Sequence, residues 1–148
     1  KTFYDEEKKS FVRNTTDKRI DISMLGAIIP FYMFSPNDKK VKNTIERINM
    51  TLRTYTGGYI RYEGDGYMGG YNPWPIATLW MAWYYIEAGD YEKALENFAF
   101  VTNSASSHGF LGEQVNNDAM KPNWVIGLTW SHAMYLLTLE KMLKKGLL

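Results

Sequence analysis

Apolar positions along this chain fall into two alternating patterns. From Arg19 to Phe34 the run IDISMLGAIIPFYMF is apolar on almost every side, and a helix of that kind must be buried all round; Pro30 is expected to kink it or end it early. Ser35-Pro36-Asn37-Asp38 reads as the next helix start, with Ser at the N-cap, Pro at the first helical position and an acid at the third. Val41, Ile45, Ile48 and Leu52 then recur at helical steps, which predicts a one-sided helix with Lys39, Lys40, Lys42, Glu46 and Arg47 facing water. The alternation repeats. Pro73 to Ala88 is apolar around its circumference, Gly89-Asp90 stops it, and Tyr91, Ala94, Leu95, Phe98 and Val101 outline a second amphipathic helix. Gly127 to Leu143 is a third helix of the buried kind, with a Lys-Lys end that suits a helix C-terminus.

The predicted order is buried, amphipathic, buried, amphipathic, buried: about five helices, all-α. The buried helices begin near residues 20, 73 and 129, spacings of 53 and 56 residues that signal an array of helical pairs. An inner set of all-round apolar helices inside an outer set of one-sided ones is the pattern of an α/α toroid. Two and a half pairs do not close a ring, so the segment is expected either to stack as an open solenoid or to lack the other half of its ring. Residues 1–18 are polar, with Phe11 and Val12 the only apolar pair near the centre of a charged segment, and read as a linker or the tail of a preceding element. KTFYDEEKKS starts no recognisable element, and the chain is expected to be a piece of something longer.

Composition narrows the chemistry. The 148 residues, 45% apolar and 16% aromatic, suit one globular domain. A net charge of +1 with mixed signs gives no electrostatic footprint for nucleic acid or an anionic membrane, and polar residues or Pro interrupt every apolar run before it reaches membrane-spanning length. The absence of Cys removes disulfides, thiolate metal sites and cysteine nucleophiles together, and leaves the compartment, secreted or cytoplasmic, undetermined.

Two long loops, Gly57 to Trp74 and Gly109 to Trp130, join amphipathic to buried helices, and loops of that length inside a domain are usually functional. They begin and end alike, Gly58-Tyr59-Ile60 against Gly109-Phe110-Leu111 and Asn72-Pro73-Trp74 against Asn123-Trp124, and are expected to converge on one site. Both mix carboxylates with aromatics and amides, which suits sugar hydrolysis, where carboxyl groups move protons and aromatic faces hold the ring. His108 and His132, the only histidines, sit in different elements, so no metal is expected. No phosphate-cradling motif is present, and no cofactor is implied.

RYEGDGYMGGYNPWPIATLW followed by GEQV and LTWSH resembles the C-terminal part of the glucoamylase, glucodextranase and trehalase family, glycoside hydrolase family 15, from about Asp21 to Leu139. The resemblance implies part of an (α/α)6 barrel whose N-terminal half is missing. It implies an inverting exo-acting α-glucosidase acting on α-glucans or α-glucosides, with Glu113 of Gly112-Glu113-Gln114 as general base. It further implies that Arg61 and Asp65 contact or support the bound glucose, that Tyr67 sits beside the catalytic water, and that Trp74 lines the wall near the leaving sugar. Tyr71 stands as an insertion where many members read GGNPW. The family's general acid lies on an earlier loop, before anything present in this chain.

Blander readings stand beside these. Glu113 as an exposed loop carboxylate, Arg61 paired with Glu63 or Asp65 to hold its loop, and Tyr67 and Trp74 as packing each remain open. Trp80, Trp83, Tyr84 and Tyr85 read as core, and Trp130 and His132 as structural. The sequons at Asn14 and Asn49 match a common pattern and are discounted. Two other classes fit as well: a non-catalytic glucoamylase-like regulatory or carbohydrate-binding module, and a helical-repeat scaffold that binds protein. Inner helices apolar all round need partners on every side, so self-association of the isolated segment is expected.

Overall fold

In the computed structural model, which describes residues 3–148, the stripe Val41, Ile45, Ile48 and Leu52 becomes the buried side of helix α1, Lys39–Leu52. The helix is capped by Asp38, whose carboxylate accepts from the Lys40 N–H at 2.7 Å. Ser35 is therefore not the N-cap. It heads a turn in which its carbonyl accepts from the Asp38 N–H and its Oγ from the Asn37 N–H, and Asp38, an equally good capping type, takes the helix end.

Helix α2, Pro75–Ala88, has Pro at its first position, where a missing N–H costs nothing, and it buries nine side chains around its circumference. Gly89 ends it in the left-handed region at φ 80°. Asp90 then caps α3, Tyr91–Asn103, by accepting from the Lys93 N–H. Helix α3 packs its Ala94, Phe98 and Val101 side against α2, and α4, Thr129–Lys144, packs against α2 as well. The central helix of the described fold is thus the most apolar one.

Helix α4 departs from its expected all-round burial. Ser131, Met134, Thr138 and Met142 form one buried stripe, while Trp130, Leu136, Leu137 and Leu143 are exposed. The run from Arg19 to Phe34 departs further. Only Ile22–Ala27 is helical, a 3-10 turn capped by Asp21; the chain then folds back, with the Met33 N–H on the Ala27 carbonyl at 2.8 Å and Phe31, Tyr32 and Met33 in solvent. Pro30 has no N–H with which to continue a helix, and Gly26 gives it no conformational support. Four α-helices and this 3-10 helix stand where five helices were expected.

Residues 3–18 are a docked hairpin, not a linker. β1, Tyr4–Asp5, pairs antiparallel with β2, Ser10–Phe11, and Phe11 and Val12 are buried. The Phe11 N–H donates to Thr44 Oγ1 of α1 at 3.0 Å, and the Arg47 guanidinium donates to the Lys8 carbonyl. The charged run between the strands is the turn, and the apolar pair behind it supplies the burial. A second hairpin in the loop after α3 likewise qualifies the all-α expectation. No described helix is long and apolar enough to cross a membrane.

Candidate active site

The loop after α1 is pinned at both ends to the start of α2. Gly58 lies so close to the Phe100 ring and Pro73 that a Cβ there would come within 2.5–2.7 Å of them. This approach seats Tyr59 and Ile60 in the core, where the Tyr59 N–H donates to Thr78 Oγ1 at 3.1 Å and the Trp74 N–H donates to the Tyr59 carbonyl at 2.8 Å. Next in the chain, Arg61 donates from Nε and Nη2 to the two oxygens of Asp65, both at 2.9 Å, a bidentate pair of fixed geometry. Asp65 is 2% exposed and also accepts from the Tyr67 N–H. Burial pushes its carboxyl up, but the hydrogen bonds from Arg61 and Tyr67 outweigh that and hold it below the usual aspartate range. The Arg61 guanidinium lies 4.0 Å from the centre of the Trp74 ring and 5.0 Å from that of Tyr67, and the two rings are 5.7 Å apart. The four predicted residues of this loop therefore form one cluster.

The second loop folds into β3, Gly112–Val115, paired antiparallel with β4, Pro122–Ile126. Asn116 turns the chain between them, its Oδ1 accepting from the N–H groups of Asp118 and Ala119. The pairing slips between Gly112 and Gln114, so Glu113 sits at an irregularity of the kind that re-aims a side chain. Gly112 makes this possible: a Cβ there would come within 2.5 Å of the Gln114 carbonyl oxygen and 2.9 Å of Asn123 backbone atoms. Glu113 is only 8% exposed, and its buried Oε2 has no hydrogen-bond partner among the described residues. The Arg61 guanidinium proton is held chiefly by the Asp65 hydrogen bond, with the charge of Asp65, then of Tyr62 and least of Glu113 adding to it.

Behind the hairpin, α4 supplies the support. Ser131 Oγ donates to the Gly112 carbonyl at 2.9 Å, and His132 Nε2 accepts from the Leu111 N–H at 3.1 Å. His132 is thus a structural acceptor, and His108 is exposed at the loop start. Among the described residues no three His, Cys, Asp or Glu side chains are grouped as a metal ion requires.

The two loops are joined by contacts that the sequence reading did not single out. The Val115 N–H donates to the Pro73 carbonyl at 2.8 Å. Gln114, 1% exposed, donates from Nε2 to the Tyr67 carbonyl and accepts at Oε1 from Asn72. Asn117 Nδ2 reaches the Tyr71 carbonyl at 2.6 Å. The signal for this was the crowd of amides in both loops. Of the four aromatics of α2 read as core, Tyr84 and Tyr85 are buried. Trp80 is half-buried and lines a cavity of about 420 Å³ together with Arg61, Trp74 and Trp130. The clamped guanidinium and the indole walls meet at this cavity, whereas the carboxylate with the unanswered oxygen lies outside its lining.

No family model matches the chain. In sequence it is 34% identical over 152 residues to an uncharacterized glycosyl hydrolase of Methanocaldococcus jannaschii, covering 93% of this chain and 24% of that protein. It is 29% identical over 140 residues to Trehalase 1 of Sulfolobus acidocaldarius, again 93% and 24%, and 32% identical over 121 residues to a glucoamylase of a Clostridium species, 69% and 16%. The chain thus spans about a quarter of the length of the first two of these relatives. In fold it matches a solved glycosidase with a TM-score of 0.81 at 24% identity, over 90% of this chain and 38% of that one. It matches a bacterial glucoamylase with a TM-score of 0.65 at 28% identity, over 83% and 20%. The homologues of this chain are glycosyl hydrolases, trehalases and a glucoamylase among them, and the resemblance to the glucoamylase, glucodextranase and trehalase family that its loop motifs carry holds.

Proposed function

We propose that this chain is the C-terminal part of the (α/α)6 catalytic domain of an inverting, exo-acting α-glucosidase of the glucoamylase type. It acts on α-glucans or α-glucosides and releases β-D-glucose, with Glu113 as general base. The observation that carries this reading is the Glu113 carboxylate, held at a slipped strand pair with one buried oxygen that no donor among the described residues answers. Asp65 engages Nε and Nη2 of Arg61, so Glu113 is not tied up in an ion pair of its own and keeps lone pairs for a water. That water attacks the anomeric carbon from the face opposite the leaving oxygen while Glu113 takes its proton, and the configuration inverts because no covalent intermediate forms. Arg61 and Asp65 hold the glucose hydroxyls, Tyr67 borders the water, and Trp74 offers an apolar face to the leaving sugar. The bacterial glucoamylase that shares this fold was solved with acarbose bound, and trehalases among the relatives keep trehalose within the substrate class.

The acid that protonates the leaving oxygen comes from outside this segment. The remainder of the ring covers the exposed apolar residues of α4 and β4, among them Leu136, Leu137, Trp124 and Ile126; without that cover the segment self-associates. The isolated 148-residue segment has no useful hydrolase activity, since general acid catalysis is worth about 10²–10⁴-fold. The test is proton NMR of the glucose anomer that the full-length protein releases from maltose. β-Glucose appears first under this reading; α-glucose first, or sugar binding without hydrolysis, overturns it, the latter in favour of a regulatory module.

A further inference from the structure

The cavity beside Arg61 and Trp74 has a second polar edge, formed by Arg13 of the segment that read as a linker and Asp21 of the apolar run that follows it. Residues 20–22 run along the Arg61–Glu63 backbone: the Ile22 N–H donates to the Arg61 carbonyl at 2.8 Å, and the Glu63 N–H donates to the Ile20 carbonyl at 2.9 Å. This pairing sets Asp21 opposite Tyr62. The Asp21 carboxylate, almost fully buried, is 2.8 Å from Arg13 Nε, and it caps the 3-10 helix through the Ser23 N–H. The Arg13 guanidinium lies over the Tyr62 ring at 4.3 Å, and Arg61 lies 5.4 Å from the same ring. Both cations and Asp21 line the cavity of about 420 Å³, whose apolar wall includes the indoles of Trp74, Trp80 and Trp130.

The volume falls in the range of about 300–1,000 Å³ typical of small-molecule sites, and an apolar wall with a few convergent polar groups is their usual lining. Glu113 does not line the cavity, so the chamber lies to one side of the proposed base. Arg13 is oriented by Asp21 through Nε at 2.8 Å, by Asp17 through Nη1 at 3.4 Å and by the Tyr62 face, and its Nη2 makes no hydrogen bond among the described residues. A guanidinium fixed by two carboxylates and a ring face, with Nη2 left over at the edge of an indole-lined chamber, is a donor for hydroxyls on a ring whose faces are apolar.

Resting on the α-glucosidase reading above, we infer that Arg13, held by Asp21 and Tyr62, is a substrate-binding and specificity-determining residue that donates to hydroxyls of a pyranose seated in this cavity. Arg13→Lys keeps a cation for Asp21 but loses the flat fork and the stacking on Tyr62. In the full-length protein this variant is expected to raise KM for maltose by roughly ten- to hundredfold, the worth of a charge-assisted hydrogen bond, with kcat within about threefold of the parent. Because three indoles line the chamber, maltose should also quench tryptophan fluorescence, and half-quenching should need correspondingly more maltose in the variant. Arg13→Gln, which keeps a donor for Asp21 without the charge, is expected to shift both readouts at least as far. Unchanged KM and unchanged quenching in both variants overturn the inference while leaving the proposed activity standing. A parent protein that neither hydrolyses maltose nor is quenched by it overturns the activity, and this inference with it.

Discussion

The two long loops solve opposite problems. In the loop from Gly57 to Trp74 the ionic groups are answered by protein: Arg61 by both oxygens of Asp65, and Glu63 by the Ile20 N–H and Lys8. In the loop from Gly109 to Trp130 the backbone is held by a hairpin and by Ser131 and His132 of α4, yet its buried carboxylate keeps an unanswered oxygen. Satisfied charges hold a fixed geometry and suit recognition. A desolvated lone pair without a donor costs stability, by the general cost of burying polar groups, and is useful only where something else arrives to meet it. Charge removal should therefore be costly in the first loop and cost nothing in the second.

The largest stability effect should come from Arg61→Ala. It leaves Asp65 buried without its bidentate partner, and a loss of about 3 kcal/mol is expected, read as a lower denaturation midpoint of the full-length protein. Glu113→Gln should cost nothing by the same measurement, and an equal loss in both variants breaks the comparison. Next comes Gly112→Ala, which forces a Cβ against backbone atoms of Gln114 and Asn123; about 2 kcal/mol is expected from such overpacking, with a matching fall in the thermal midpoint.

The smallest effect is in the pH dependence of the first loop. The folded Asp65 carboxyl lies below its usual value, so its contribution to stability is complete above the unfolded pKa of about 3.9 and is lost only as pH falls through the lower folded value. Amide exchange around residues 61–67, corrected for intrinsic rates, should show constant protection from neutral pH down to about 4 and weaken below it. Weakening that begins near pH 6 would show that another group controls the loop.

Much of this arrangement was legible in the sequence, and the failures have physical reasons. Val41, Ile45, Ile48 and Leu52 located α1, and Pro75 and Gly89 mark the ends of α2, because periodicity and end signals are local. The run from Arg19 to Phe34 misled because composition reports how apolar a segment is, whereas Gly26 and Pro30 decide whether it continues as a helix. In α4 the apolar residues were read correctly, but whether Leu136 and Leu137 are covered depends on neighbours that no local pattern contains. The hairpin at Glu113 hid behind polar residues, although Asn116-Asn117-Asp118 is the turn signal that announces it. The residues singled out in the first loop lie in one cluster, while Gln114, which ties that loop to the second, acts through a contact across 47 residues of sequence.

The central claim is that the unanswered carboxylate of Glu113 is the base, and its most direct test is the turnover of Glu113→Gln in the full-length protein with maltose affinity followed in parallel by tryptophan fluorescence. The account predicts a loss of about 10²–10⁴-fold or more in kcat, with affinity changed by less than about threefold. Turnover within tenfold of the parent would contradict it and return Glu113 to the role of a buried loop carboxylate.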